Sequence, residues 1–180
     1  MIIGNMDGLP DDSGADLVLI NGNILTIDPE ESIAEALAVK DGKFLMVSPN
    51  NHVLKSRGKL TQVVDLKRKT VLPGYIGCHN HVPARPKWVD LYWVRSKDEL
   101  VGLLRTRQNQ RISRMDAIRA FTTDATCLEF EEDIKGSIEP GKLVDFVVLD
   151  RDVLTCPEED ITEIKVLATY LGGKVVYNKE

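Results

Sequence analysis

His79 and His81, one residue apart, are the side chains of this sequence best suited to binding a metal. They look like half of a site, because a catalytic zinc needs about three protein ligands and an open position for water. The chain has 3 histidines, and the remaining one, His52, lies in a strand-rich N-terminal region. Cys78 is adjacent to the pair, but on an extended strand its side chain points to the opposite face. The pair therefore indicates either a site for a divalent metal such as zinc, whose other ligands come from elsewhere, or two histidines without a metal role.

Nucleophilic catalysis has no matching pattern in the sequence. The serines considered as nucleophiles lack the nucleophile-elbow motif; they are Ser48, Ser56 and Ser137. The three cysteines are widely spaced and form no C-x-x-C pair, which predicts neither a disulfide framework nor a zinc knuckle; they are Cys78, Cys127 and Cys156. The catalytic residues are therefore unknown from the sequence.

Acidic residues also favour structural roles. Asp145 and Asp150 flank an apolar run and are expected to serve turns and strand ends rather than acid–base chemistry. A cluster of four further acidic residues is typical of a solvated loop; it comprises Glu129, Glu131, Glu132 and Asp133.

Composition predicts a single globular domain. The chain has 180 residues, of which 43% are hydrophobic, and a formal net charge of −5. This charge gives no general attraction to nucleic acid or to an anionic membrane. No apolar run approaches the roughly 20 residues that span a bilayer, and the cysteine pattern favours a reducing cytoplasm. Residues 1–14 are expected to form a flexible N-terminus.

The first half of the chain reads as short strands separated by turns. Strands are expected at 16–20 and 24–27 around Asn21-Gly22, and at 34–39 and 43–47 around Asp41-Gly42. Both dipeptides suit the type I′ turns of β-hairpins. Two more strands are expected at 62–66 and 70–72, and together these runs predict antiparallel pairing.

Helices are expected in the middle and strands again at the end. A capping-box pattern predicts a helix over 97–107, and Ser113 and Asp116 could start a second helix. The apolar stripe of that second helix would comprise Met115, Ile118, Phe121 and Ala125. A type II turn is expected at Glu139-Pro140-Gly141-Lys142, because Pro and Gly stand where that turn favours them. A buried strand over 143–149 and a hairpin of 164–171 with 174–177 follow, so two stacked sheets are the simplest architecture.

Three segments of this sequence resemble the amidohydrolase superfamily, most closely its family 3 branch. They are "ADLVLINGNILTIDPEESIAEALAVKDGKFLMVS", "VVDLKRKTVLPGYIGCHNH" and "DAIRAFTTDATCLEFEEDIKGSIEPGKLVDFVVLDRDVLT". The resemblance implies metal-dependent hydrolysis of non-peptide C–N bonds. It also implies a β-sandwich, the composite domain, built from both chain ends around a (β/α)8 barrel. His79 and His81 match the family's H-x-H metal ligands, although Gly77-Cys78 replaces the usual preceding aspartate.

The chain is too short for that barrel. Residues 82–111 are 30 residues, whereas a complete barrel needs about 200 or more. The expected fold is therefore mainly β with a few helices: a β-sandwich resembling the composite domain, without a complete TIM barrel. A single domain over 15–180 is expected, built from 15–75 and 134–180, with a helical barrel-remnant insert at about 76–133.

Two hypotheses on function remain open. The first is a truncated amidohydrolase-like protein that is non-catalytic alone, in which the histidine pair is an inherited remnant. The second is a metal-dependent amidohydrolase whose H-x-H site is completed by a second chain. Trp88, Tyr92 and Trp93 either cover the core or form an exposed patch. A sandwich that retains such an apolar face predicts a homo-oligomer, expected to be a dimer, with an unknown substrate.

Overall fold

The computed structural model describes residues 14–76 and 113–179. The first range contains seven strands, one short α-helix and a 3-10 helix at Leu54–Ser56. The second contains three strands, two α-helices and a 3-10 helix at Glu158–Glu163. The strands of the first range are β1 (Ala15–Ile20), β2 (Asn23–Leu25), β3 (Ile33–Ala34), β4 (Ala36–Lys40), β5 (Lys43–Ser48), β6 (Arg57–Asp65) and β7 (Thr70–Pro73). The strands of the second range are β8 (Phe146–Leu149), β9 (Val166–Leu171) and β10 (Lys174–Asn178). The helices are α1 (Asn50–Val53), α2 (Arg114–Ala120) and α3 (Thr123–Glu129).

The strands form two sheets that face each other. One sheet has the order β5-β4-β1-β6, and the other has the order β10-β9-β8-β7-β2-β3. The second sheet therefore joins strands from both ends of the chain. Alternating residues of both sheets meet in one core, where the ring centroids of Phe44 and Phe146 lie 6.4 Å apart. This architecture confirms the expected mainly β sandwich, and the described residues form no closed barrel.

Each sheet also has a partly covered outer face. Val53 of α1 packs against Val18 and Ala38, which point away from the central core. On the other sheet, Ile118 of α2 packs with Leu72 and other outward-pointing residues. Strand alternation explains this arrangement, because Val71 belongs to the central core while its neighbour Leu72 belongs to the outer cluster. The molecule is thus layered as helix, sheet, sheet, helix.

The expected hairpin at Asn21-Gly22 is wrong. β1 pairs with β4 and β6, whereas β2 pairs with β3 and β7, so the chain passes from one sheet to the other at this dipeptide. Asn21 does adopt a positive φ of 56°, as the dipeptide predicts. The segment between β6 and β7 also passes from the first sheet to the second, next to Asn21-Gly22. The pairs β1–β6 and β2–β7 are therefore parallel. The purely antiparallel pairing expected from the sequence is therefore also wrong.

Three other turns match their sequence signatures. Asp41 and Gly42 have φ values of 50° and 73° and connect the antiparallel pair β4–β5. Gly172-Gly173 connects β9 to β10 in the closing hairpin. Gly141 has a φ of 93°, and the Lys142 amide donates to the Glu139 carbonyl at 3.2 Å, which confirms the expected turn at Pro140-Gly141.

The second predicted helix is present but divided. Ser113 caps α2, because its Oγ accepts from the Asp116 amide at 3.0 Å. The chain turns at Phe121-Thr122 before α3, which leaves Phe121 49% exposed instead of in a continuous apolar stripe. The helix expected over 97–107 lies outside the described residues. The domain boundaries stay a prediction, and residues 1–13 also lie outside the described part.

Candidate functional site

The described chain approaches the histidine pair from β7. His79, His81 and Cys78 lie outside the described residues, whose first range ends at residue 76. β7 is buried along its whole length and lies between β2 and β8. Its four residues all pair with β8, from Thr70 opposite Leu149 to Pro73 opposite Phe146. A strand from the C-terminal half therefore holds β7, the strand that precedes the H-x-H motif in the sequence.

Contacts with the C-terminal half continue beyond the end of β7. The Gly74 amide donates to the Asp145 carbonyl at 2.9 Å, and the Ile76 amide donates to the Phe121 carbonyl at 2.8 Å. The rings of Tyr75 and Phe121 meet edge to face at 6.5 Å. These bonds hold the backbone up to three residues before His79.

Two cavities flank residues 74–76, the segment that follows β7 and that we call the β7 exit. A cavity of about 440 Å³ lies between Tyr75, Val147 and Leu171. A second cavity, of about 530 Å³, lies between Tyr75, Ile118 and Phe121. Tyr75 borders both, and its side chain is 51% exposed. The surface of both cavities is therefore mainly apolar, although Lys135 and Asp145 also line the first one.

His52 lies in a different layer from β7, the strand that precedes the histidine pair in the sequence. It belongs to α1, on the outer face of the four-stranded sheet, whereas β7 belongs to the six-stranded sheet. Its Nδ1 is 3.3 Å from the Ser48 hydroxyl. Over residues 14–76 and 113–179, no group of three or more His, Cys, Asp or Glu side chains could hold a metal. The described residues therefore form no complete metal site among themselves.

A cluster that sequence reasoning missed joins Ser137, Glu139 and Lys142. Ser137 is buried, and its hydroxyl donates to the Glu139 carboxylate. Lys142 Nζ donates to Ser137 Oγ at 2.7 Å and pairs with Glu139 at 3.0 Å. Burial raises the pKa of Glu139, but the bonds from Ser137 and Lys142 outweigh it and hold that pKa below its usual value.

This cluster stabilises a turn and has no geometry for catalysis. Lys142 donates to Ser137 and to a carboxylate, so its ammonium is not placed to accept the serine proton. The adjacent Ile138 amide donates to the Thr26 carbonyl at 2.8 Å, which ties the same loop to the N-terminal half. The sequence signal for this loop was the turn pattern at Glu139-Pro140-Gly141-Lys142. Nothing in that pattern indicated that Glu139 and Lys142 both contact Ser137.

The other acidic residues have the structural roles expected of them. Asp145 Oδ1 accepts from the Gly172 amide at 2.8 Å, and Asp150 Oδ1 accepts from the Lys165 amide at 3.0 Å. In the acidic cluster, Glu129 and Glu131 both pair with Lys135, at 2.9 and 2.5 Å. Asp145 lies beside Gly74 at the β7 exit, but the Gly172 amide already bonds to its carboxylate.

Comparison with known proteins agrees with this arrangement. A model of the amidohydrolase family matches residues 104–177. This match supports the resemblance to the amidohydrolase superfamily. The fold of the chain resembles the crystal structure of enamidase, a member of that superfamily, with a TM-score of 0.57 over 91% of this chain and 96% of that chain. The sequence identity is 10%, so this likeness concerns the fold alone.

Two curated relatives share more sequence with the chain. N-substituted formamide deformylase of Arthrobacter pascens is 37% identical over 67 residues, which are 37% of this chain and 12% of that protein. Protein LONG AFTER FAR-RED 3 of Arabidopsis thaliana is 31% identical over 155 residues, which are 84% of this chain and 23% of that protein. The matched region thus spans less than a quarter of the length of either relative. Among the described helices, none has the length and apolar character needed to cross a membrane.

Proposed function

We propose that this chain is an amidohydrolase-type β-sandwich module that does not form a catalytic metal centre from a single copy. The observation that carries the proposal is the position of the third histidine. His52 lies beside the four-stranded sheet, whereas β7, the strand that precedes His79 and His81 in the sequence, belongs to the six-stranded sheet. Over residues 14–76 and 113–179, no group of three or more potential ligands could hold a metal. Two imidazoles neither hold a catalytic zinc firmly nor fix its geometry.

The sandwich itself has what it needs to fold without a barrel. Its central core is built from both sheets, and β7 and β8 join the two chain ends through four consecutive register pairs. Such a module would act by binding, and the apolar surface around Tyr75 and Phe121 is where the family resemblance places the missing barrel.

A second candidate is a metal-dependent amidohydrolase whose site is completed by a second chain. The match to the amidohydrolase family model supports it, as does the 37% identity to a formamide deformylase over 67 residues. In this candidate, His79 and His81 of each copy would share a divalent metal such as zinc, which would supply an activated water for hydrolysis of a non-peptide C–N bond. N-substituted formamides are the substrates to test first.

Hydrolysis of N-substituted formamides, measured with and without added zinc, separates the two candidates. We expect no turnover above that of the His79→Ala/His81→Ala variant at any protein concentration. Turnover that needs both histidines would overturn the non-catalytic proposal. If its specific activity also rises with protein concentration, a second chain completes the site, because a shared site forms only in the associated protein.

A cytoplasmic location and the absence of nucleic-acid and membrane partners belong to the same proposal. Three widely spaced cysteines without disulfide spacing support a reducing compartment. The net charge of −5 supports the absence of a nucleic-acid partner. The homo-oligomer expected from the sequence, a dimer, also stays a proposal.

A further inference from the structure

The cavity between Tyr75, Ile118 and Phe121 is a groove along α2, and we call it the α2 groove. Four side chains of α2 and its C-terminal cap line it: Arg114, Ala117, Ile118 and Phe121. This spacing of three, four and seven residues places the four side chains on one face of the helix. Val153 and Ile161 line the groove as well. Because Tyr75 and Phe121 are 51% and 49% exposed, apolar surface is left in water here.

Hydrogen bonds hold the α2 groove in shape. Arg114 Nη1 donates to the Val153 carbonyl at 2.9 Å and to the Cys156 carbonyl at 2.6 Å, which ties α2 to the loop after β8. The Ile76 amide donates to the Phe121 carbonyl at 2.8 Å. The apolar surface is therefore formed before anything binds to it, and this lowers the cost of binding.

One segment of this chain begins and ends at the α2 groove. Tyr75 is two residues before residues 77–112, and Arg114 is two residues after them, and both of these side chains line the groove. The 36 residues of 77–112 lie outside the described part of the chain, whereas both of their attachment points belong to it. A tethered segment is present at an effective concentration of about millimolar, which favours it over a second copy at micromolar concentration.

The leucines of the helix expected over 97–107 are the part of this segment that suits the groove. Leu100, Leu103 and Leu104 have the same spacing of three and four residues as the groove side chains of α2. Residues 108–112 separate this expected helix from Ser113, the cap of α2. A connection of this length commonly joins antiparallel helices, and fully extended it reaches only about 20 Å. The leucines are therefore confined to the neighbourhood of the groove.

We propose that the helix expected over 97–107 packs antiparallel on α2 and fills the α2 groove with its leucines. The two helices then have a consistent register about their connection, because equal distances from it bring apolar positions together. Leu104, three residues before 107, meets Ala117, three residues after Arg114. Leu100, seven residues before 107, meets the exposed ring of Phe121, seven residues after Arg114. The small side chain of Ala117 leaves room for a leucine.

This packing goes beyond the proposed function, because it assigns the apolar surface at Phe121 to the protein's own chain. A partner that binds there would have to displace the helix. The contact contains none of the histidines, so its failure would leave the proposal on catalysis unchanged. Catalytic activity would likewise leave the packing unchanged.

The test is the rate at which N-ethylmaleimide labels a thiol placed in the groove of the full chain by Ala117→Cys. Peptide mapping gives the rate at each cysteine, and the exposed Cys127 of α3 serves as the internal reference. Labelling of the introduced thiol is expected to be about tenfold faster when Leu103→Asp/Leu104→Asp is added, because carboxylates do not enter an apolar groove. The rate at Cys127 should not change.

Gly102→Asp/Thr106→Asp is the matched control, because it adds the same two charges on the opposite face of the expected helix. It is expected to leave the introduced thiol slow to react. Circular dichroism establishes that the variants remain folded. If the aspartate pair at the leucines unfolds the chain, Leu103→Ala/Leu104→Ala replaces it and is expected to speed labelling about threefold.

Two results would overturn the proposal. Equal labelling of the introduced thiol with and without the leucine substitutions would show that the helix does not occupy the groove. Labelling that becomes faster on dilution from about 50 to about 1 µM would show that a second copy occupies it, because only an intermolecular contact depends on protein concentration.

Discussion

Ser113 and Asp116 form the helix start that the sequence pattern predicts. Ser113 Oγ accepts from the Asp116 amide at 3.0 Å and donates to Asp116 Oδ2 at 2.7 Å. The hydrogen bond from Ser113 holds the pKa of Asp116 below its usual value. Helix starts are predictable because the signal is local and the cap needs only neighbouring residues.

The Ser113→Ala variant is expected to lose about 1 kcal/mol of unfolding free energy, the usual cost of removing an N-cap. It should also raise the pKa of Asp116, because the hydroxyl that stabilises its charged form is gone. Urea denaturation measures the first effect, and an NMR titration of Asp116 measures the second. Thr123→Ala in the next helix is the control, and an unchanged pKa in Ser113→Ala would contradict the capping geometry.

Asn21 shows where residue-scale prediction stops. Its positive φ of 56° follows from its type, as expected of Asn before Gly. The same local signal occurs at Asp41-Gly42, which does join two paired strands. What differs is the partner of each strand, and this depends on distant residues: Asn23 pairs with Thr70, and Leu17 pairs with Gln62.

At the scale of elements, α2 lies on the outer face of the six-stranded sheet. Leu72 of β7 and Ile118 of α2 belong to one buried cluster, with 0% and 5% exposure. The buried character of β7 and β8 could be predicted from their apolar runs. That α2 covers the back of β7 could not, because sequence periodicity shows which face of a helix is apolar but not what it packs against.

Leu72→Ala is expected to cost about 2–5 kcal/mol of unfolding free energy, because it leaves a cavity in a buried site. If α2 packs on β7, Leu72→Ala and Ile118→Ala should be coupled by about 0.5–3 kcal/mol in a double-mutant cycle. Chemical denaturation of the four proteins measures the coupling. Leu60→Ala on β6, where the side chain is 67% exposed, serves as the control and should change stability by less than about 0.5 kcal/mol. Additive effects of the two core substitutions would contradict the packing.

At the scale of the whole molecule, acid should weaken the fold. The pKa values of six carboxyl groups are lowered in the folded protein, namely those of Asp16, Asp28, Asp65, Asp116, Glu139 and Asp150. The unfolded chain therefore binds more protons than the folded one as the pH falls. Their stabilisation is present above the unfolded pKa values of about 4 and is lost as the pH falls through the lower folded values.

We expect the melting temperature to stay level from pH 7 to 5 and to fall steeply below about pH 4.

Asp28 offers a test of the contribution of one carboxyl group to this acid sensitivity. Burial raises its pKa, but bonds such as that from the Ser32 amide to Oδ1, at 2.7 Å, outweigh this and lower it. Asp28→Asn should therefore destabilise the protein at pH 7 and much less at pH 3, whereas Asp133→Asn, at an exposed loop position, should change little at either pH. A pH-independent effect of Asp28→Asn would contradict this origin of the acid sensitivity.

The sandwich and its family resemblance could be predicted from the sequence, whereas the metal site at His79 and His81 stays a prediction. The superfamily resemblance, the strand runs and the turn at Pro140-Gly141 all correspond to features of the structure. A metal site instead requires ligands from separate elements to meet at one point. His52 and the β7 exit have their positions set by the stacking of two sheets, which no local pattern encodes.

Elemental metal analysis of the protein purified without a histidine tag tests the central claim most directly. The account predicts that bound metal is far below one ion per two chains. The His79→Ala/His81→Ala variant and a His52→Ala control are measured alongside. A stoichiometry of one ion per chain or per two chains, lost in the double variant but kept in His52→Ala, would contradict the account and establish a metal site at the H-x-H motif.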